Sequence, residues 1–386
     1  MKRSIKVLLT IAAIFIAFSF YTSRTPHTDS LDILLEEKKV SKEDSRAELA
    51  TTIVDAYLAD YNVPSLVVAI VEKGKAPVFI NRGNMKRGSD NAVNENTVYQ
   101  LGSLSKTFTA ILARKLEAEG ILDLEAHILK YIPNNFSEET IEKLSPIRVK
   151  DVLLHQAGFE REPISTNRIP LGGPIVGAYS KSEVLDDLEH TVLINKPGTQ
   201  MSYSNFGYAV LGLIMENASQ KSYNTLIDEY ISIPFQMKQT TSDFNHNFDN
   251  KLATPYIPEF KFIKNCPFEF EMQTAAGGVF STAEDLSKMM TIQMKAYEEI
   301  KVDNPLILNN ETIKMWDSPY SPLYGYGVFE LGEPGELMLG HSGDTDGFAS
   351  SYYFSPDQDF GMILLTSMGG KWFQEMEGRM REEMLK

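Results

Sequence analysis

The sequence predicts an α+β protein: one antiparallel sheet built from both chain ends and flanked by helices, with a mostly helical subdomain inserted over about residues 107–296. Three observations predict it. β-branched and aromatic runs near the start, Ser65–Val71 and Ala76–Ile80, are separated by the turn residues Glu72-Lys73-Gly74-Lys75. Further runs of the same kind, Tyr324–Leu331, Leu337–His341, Phe348–Ser355 and Phe360–Ser367, gather near the end. Between these two groups, from Ser103 to about Ala296, apolar residues recur at helical spacing or give way to loops.

The elements follow in order. Lys2, Arg3 and Lys6 precede an uncharged apolar run from Val7 to Phe20, the pattern of a signal peptide and short for a membrane span. Residues 1–23 are therefore expected to be a signal peptide or an uncleaved N-terminal membrane anchor, and the protein to be exported, periplasmic or extracellular. Residues 24–43 are polar and charged and serve as a linker, and 44–386 form the folded domain. A helix is expected over about Asp44–Tyr61, then the hairpin, then a helix marked by Phe108, Ile111, Leu112 and Leu116 and stopped at Gly120. A last helix covers about Phe373–Leu385.

With 386 residues and 43% apolar content the chain can bury a sizeable core. Its net charge of −15 and the absence of a basic run argue against a nucleic-acid partner. Cys266 is the single cysteine, so no intrachain disulfide forms. The six histidines are scattered, without an H-E-x-x-H pattern or a Cys/His cluster, and neither a metal nor another cofactor is expected.

Chemistry concentrates in three short stretches. Gly102-Ser103-Leu104-Ser105-Lys106 sets a serine at a helix start with a lysine three residues on, where both share one face. The free N–H groups of a helix start favour a developing alkoxide. A helix cap followed by a solvated lysine is the alternative. Tyr203-Ser204-Asn205 lies on a loop after Pro197-Gly198 and before an apolar helix, so both side chains can face a cleft; a core tyrosine and a capping asparagine are the alternative. Gly340-His341-Ser342-Gly343-Asp344 ends one strand candidate and precedes another, where glycine lets a substrate approach; a plain strand-end turn is the alternative.

Ser-x-x-Lys, Tyr-x-Asn and His-x-Gly, in that order, resemble the serine beta-lactamase and penicillin-binding-protein superfamily. The nearer likeness is to its class C branch, which includes DD-carboxypeptidases, esterases and D-aminopeptidases. Leu153-Leu154-His155-Gln156-Ala157-Gly158, Tyr203-Ser204-Asn205-Phe206-Gly207-Tyr208 and Ala276-Gly277-Gly278-Val279-Phe280-Ser281-Thr282 resemble further stretches of that branch. The departure is His341, where class C beta-lactamases usually carry lysine. His-x-Gly is common among the peptidases and esterases.

The resemblance implies acyl transfer through a serine ester, with a small molecule or peptide as substrate, cell-wall peptide among the candidates. Ser103 would be the nucleophile and the Lys106/Tyr203 pair its base. Asn205, His341 and Gly343 would hold substrate, and the backbone N–H groups of Ser103 and Asp344 would form the oxyanion hole. A true class C beta-lactamase and a non-catalytic cell-wall-binding or beta-lactam-binding protein are the alternatives. An α/β-hydrolase is disfavoured, since Gly-x-Ser-x-Gly does not occur. The aromatic, proline-broken segment Tyr256–Phe270, with Phe260 and Phe262, is expected to wall the pocket or else to cover the core.

Overall fold

A computed structural model describes residues 45–133, 135–165, 179–257, 264, 267, 269–298, 313–314, 323–331 and 336–386. The N-terminal targeting segment and the linker lie outside them. The chain divides into two units, up to Asp60 and from Tyr61 onward. The first contributes one described helix, α1 (Arg46–Asp60), close to the expected span.

The second unit is organised by β1 (Ser65–Glu72), β2 (Val78–Gly83), β3 (Tyr99–Gln100), β4 (Phe280–Ser281), β5 (Ile313–Lys314), β6 (Leu323–Tyr324), β7 (Phe329–Leu331), β8 (Met338–Asp344), β9 (Ala349–Ser355) and β10 (Phe360–Thr366). Among the described residues, eight of them form one antiparallel sheet in the order β2-β1-β10-β9-β8-β7-β6-β5. β1 lies beside β10 with Leu66 opposite Thr366 and Glu72 opposite Phe360, so strands from both chain ends pair in one sheet, as the sequence predicts. All but the last residue of β1, and every residue of β9 and β10, are buried. Strands covered on both faces read as continuous rather than alternating apolar runs.

The helices are α2 (Ser105–Ala118), α3 (Glu138–Leu144), α4 (Val149–Leu153), α5 (Lys181–His190), α6 (Asn205–Ser219), α7 (Tyr223–Ile227), α8 (Thr274–Gly277), α9 (Ala283–Glu298) and α10 (Lys371–Leu385). Successive side chains of a strand point to opposite faces. Tyr352 of β9 accordingly donates its hydroxyl to Gln293 of α9, while the ring of Tyr353 lies 5.4 Å from Arg381 of α10. The sheet is thus sandwiched between α9 and α10. α9 packs against β1 and β10, although in sequence it falls within the span expected for the helical insertion.

The helical insertion leaves and re-enters the sheet layer through the ribbon of β3 and β4, where Tyr99 pairs with Ser281 and Gln100 with Phe280. Two strand expectations change. The expected strand Tyr324–Leu331 is a hairpin, β6 and β7, because Gly325 to Val328 turn and the Gly325 N–H donates to the Val328 carbonyl. The expected strand Leu337–His341 continues to Asp344, so His341-Ser342-Gly343 lies inside β8 rather than in a turn after it.

Candidate active site

Ser103 sits in a single 3₁₀ turn, Gly102–Leu104, that feeds directly into α2. This turn is seated against β8 by two glycines. A Cβ on Gly102, whose φ is +54°, would lie 2.7 Å from the Asp344 backbone N. A Cβ on Gly343 would lie 1.9 Å from the Leu101 carbonyl oxygen and 2.7 Å from the Ser103 N. Gly343 therefore allows the chain's own serine turn to approach, bringing the backbone N of Ser103 and the strand at Asp344 side by side. β7 pairs with β8 only from Met338 to Gly340. Among the described residues, no strand lies beside His341–Gly343 on that side.

The first turn of α2 is anchored on the Ala-Gly-Gly-Val stretch. Ser105 Oγ accepts from the Val279 N–H at 3.0 Å, and Thr109 Oγ1 donates to the Ala275 carbonyl at 2.6 Å. Lys106 is fully buried between these anchors. Its Nζ donates to Ala276 O at 2.7 Å, to Asn205 Oδ1 at 2.8 Å and to Ser103 Oγ at 3.2 Å. It also lies 4.9 Å from the ring centre of Tyr203 and 5.5 Å from that of Tyr208. Burial holds the Lys106 ammonium well below the usual lysine range; the Glu162 carboxylate opposes that shift and Arg161 adds to it. The helix-cap alternative, with a solvated lysine, is not what the fold contains.

Ser204, not Asn205, caps α6, its Oγ accepting from the Gly207 N–H at 2.8 Å. That leaves the Asn205 side chain to turn inward to Lys106. Tyr203 is held by His155, which has a left-handed backbone with φ 58°. The Ser202 N–H donates to the His155 carbonyl at 2.7 Å and the Ser204 N–H to His155 Nδ1 at 3.1 Å. The two rings meet with centres 4.4 Å apart. Desolvation pushes the Tyr203 phenol above its ordinary range, opposed by its hydrogen bond with Ser103 and by Arg161. Of the expected base pair, Lys106 is thus the member moved toward its basic form, and Tyr203 the member kept protonated.

His341 is buried in β8, its ring 4.8 Å from that of Phe329 and 6.2 Å from that of Tyr203. Burial, then the Lys106 charge, bring its imidazole down to about 3, with a hydrogen bond to its neighbour's backbone opposing. Since Nδ1 donates to the Ser342 carbonyl, Nε2 is a buried bare acceptor, and among the described residues it meets no partner. His341 is therefore a neutral ring that carries a lone pair rather than a charge.

Ser103, Tyr203, Asn205, His341 and Gly343 line one cleft of about 400 Å³, together with Arg161, and Asp344 lines it too. All the residues picked out by the three motifs converge there, except that Lys106 lies beneath the floor. Two residues escaped the sequence reading. Glu162 accepts from Asn205 Nδ2 at 2.6 Å, and the Arg161 guanidinium lies 5.2 Å from the Tyr203 ring. They are ordinary charged residues in a loop, and nothing local in the sequence marks them. Tyr256 is buried, its hydroxyl accepting from the Arg87 N–H at 2.9 Å, which makes it a core residue. Phe260 and Phe262 lie outside the described residues. Among the described residues, no group of three or more His, Cys, Asp and Glu side chains is placed to hold a metal. None of their helices is long and apolar enough to cross a membrane.

The sequence profile of the Beta-lactamase family matches residues 50–381. Protein flp of Staphylococcus aureus (strain MW2) is 26% identical over 337 residues, covering 84% of this chain and 64% of its own length. Beta-lactamase-like protein 4 of Dictyostelium discoideum is 26% identical over 294 residues, covering 70% of this chain and 50% of its own. The chain thus spans less than two thirds of the length of these relatives. The octameric penicillin-binding protein homologue from Pyrococcus abyssi superposes with a TM-score of 0.71 at 23% identity, over 85% of this chain and 75% of that one, and shares the fold.

Proposed function

This chain belongs to the Beta-lactamase family, and on that premise we propose that it is a serine hydrolase that cleaves an ester or amide through an acyl-Ser103 intermediate. One observation carries the reading: the company kept by Lys106 Nζ. A neutral amine has two N–H bonds and one lone pair. Two of the three neighbours, Ala276 O and Asn205 Oδ1, can only accept, so they take both N–H bonds. The lone pair is left for Ser103 Oγ at 3.2 Å.

Lys106 then removes the Ser103 proton as Oγ bonds to the substrate carbonyl carbon. The charge on the carbonyl oxygen falls to the backbone N–H groups of Ser103 and Asp344, a donor pair worth about 3–4 kcal/mol each. Collapse breaks the bond to the leaving nitrogen or oxygen, which takes a proton from the Tyr203 hydroxyl; Tyr203 recovers one from Lys106. Water repeats the sequence on the acyl ester and frees Ser103. Asn205 would also hold the substrate amide.

The substrate class follows from His341. A neutral imidazole supplies no fixed charge to a beta-lactam carboxylate where lysine would. Acyclic esters and D-amino-acid peptides or amides, cell-wall peptide included, are favoured over beta-lactams. Export belongs to the same proposal, supported by the basic and apolar character of residues 1–23. The test is to measure hydrolysis of nitrocefin, a D-Ala-D-Ala peptide and p-nitrophenyl butyrate in parallel. Turnover of either acyclic compound with slow nitrocefin cleavage supports the reading. Efficient nitrocefin turnover would indicate a class C beta-lactamase, and no turnover of any compound a binding protein on this fold.

A further inference from the structure

Asn205 is the weak point of the arrangement just described. Its amide can sit either way round, and the two orientations present opposite chemistry to Lys106. With Oδ1 toward Nζ, the amide takes an N–H from the lysine. With Nδ2 toward Nζ, it donates to the lysine lone pair and blocks the base. A charged ammonium, which has no lone pair, tolerates only the first orientation. The neutral amine, the form that takes the Ser103 proton, tolerates both. Lys106 therefore cannot hold Asn205 in place at the moment when the orientation matters.

Glu162 can. Its Oε1 accepts from Asn205 Nδ2 at 2.6 Å, and an ionised carboxylate has no proton to offer an amide oxygen. The flipped amide would set Oδ1 against Oε1, two acceptors at contact distance. We propose that Glu162 is a positioning residue: it locks the Asn205 amide with its oxygen toward Lys106 and so keeps the base's lone pair facing Ser103. The proposal rests on the hydrolase reading above. The neighbouring Arg161 sets its Nε 3.6 Å from the same Oε1.

The charges facing Lys106 give the lock a second signature. Glu162 and Arg161 come from the loop after Gly158, with His341 on β8, His155 after α4, and the phenols of Tyr203 and Tyr208 around them. His341 and His155 are both held neutral by burial, and Tyr203 and Tyr208 are both held protonated by it. The ionised neighbours are the loop pair. Glu162 raises the lysine and Arg161 lowers it, so removing either charge moves the acid limb of the reaction, in opposite directions.

A fluorophosphonate probe reads this without knowledge of the substrate. Ser103 Oγ bonds to phosphorus, the P–F bond breaks, fluoride leaves and the proton passes to Lys106. The labelling rate is followed by intact mass from pH 5 to 10 in the full chain. Glu162→Gln is nearly the same shape but loses the charge and gains an N–H donor that can pair with a flipped amide. It is expected to lose rate at the plateau, as Glu162→Ala does, and to shift the acid limb to lower pH. Glu162→Ala leaves the amide free and is expected to lose at least about tenfold at the plateau, part of the about 10²- to 10⁴-fold that a positioned base supplies. Arg161→Gln shifts the limb to higher pH. Glu162→Leu replaces the alanine variant if that one melts below the assay temperature. A plateau within threefold of wild type for Glu162→Ala, Glu162→Leu or Glu162→Gln overturns the lock. If wild-type protein takes no label on Ser103, the hydrolase reading falls and the lock with it; if it labels and the Glu162 variants keep pace, the lock alone falls.

Discussion

Gly343→Ala is the substitution with the most sharply defined consequence. The added Cβ would stand 1.9 Å from the Leu101 carbonyl oxygen, 2.7 Å from the Ser103 N and 2.8 Å from the Leu104 N. All three are backbone atoms, so no rotamer change relieves the clash. A carbon and an oxygen in contact sit at about 3.3–3.6 Å. The serine turn and β8 must separate by about 1.5 Å at this point. Overpacking of this kind costs about 1–3 kcal/mol of stability. The same movement draws the Ser103 N–H away from β8. Misplacement by about 1 Å is worth about 10² in rate, and a lost oxyanion donor about 10² to 10³. We predict that Gly343→Ala labels with a fluorophosphonate at least about 100-fold more slowly than wild type while remaining folded at 25 °C by circular dichroism. The assay pairs the labelling rate with a thermal melt. A variant that labels within threefold of wild type would refute the contact argument, and so would a loss of rate that disappears when the variant is cooled well below its melting point.

Three other outcomes follow from the same geometry. Lys106→Ala and Tyr203→Phe should each cut turnover by at least about 10²-fold, and the double variant should lose far less than the product of the two, because the groups act as a unit; a multiplicative loss contradicts the shared site. His341 is brought down to about 3 in the fold, whereas the unfolded chain binds that proton near pH 6.5. Its contribution to stability is then complete above about pH 6.5 and lost as the pH falls toward about 3. The denaturation midpoint of His341→Gln should fall less steeply than wild type between pH 7 and 4; parallel curves would contradict a neutral His341. Nitrocefin turnover should stay well below about 10⁶ M⁻¹s⁻¹, a value inside the usual enzyme range, and steady-state kinetics at or above that figure would overturn the role given to His341.

What the sequence reveals of this site is what local geometry can carry. Ser103 and Lys106 are three residues apart, and the start of a helix puts them on one face whatever surrounds it. The reason that Lys106 can be buried is not local. Its two carbonyl acceptors lie 99 and 170 positions away in sequence, and no periodicity announces such a meeting. Glu162 is invisible for the same reason: only the folded chain brings it to Asn205. The sheet was legible because strands buried on both faces leave continuous apolar runs, and its closure by β1 and β10 follows from runs at both chain ends. Glycine misled where it serves close packing. Gly340 and Gly343 suggest a turn, yet both lie inside β8, and Gly343 is small because the Ser103 turn presses against it. Conversely, Gly325 and Gly327 do mark a turn within the run Tyr324–Leu331 that its apolar residues conceal.

The central claim is that Ser103 becomes covalently acylated with Lys106 as its base. Intact-mass analysis of the folded protein after incubation with a fluorophosphonate tests it most directly, with Ser103→Ala and Lys106→Ala in parallel. The predicted result is one adduct on wild type, located to Ser103 by peptide mapping, none on Ser103→Ala and a strongly slowed adduct on Lys106→Ala. An adduct that persists in Ser103→Ala, or folded wild-type protein that takes none, would contradict it.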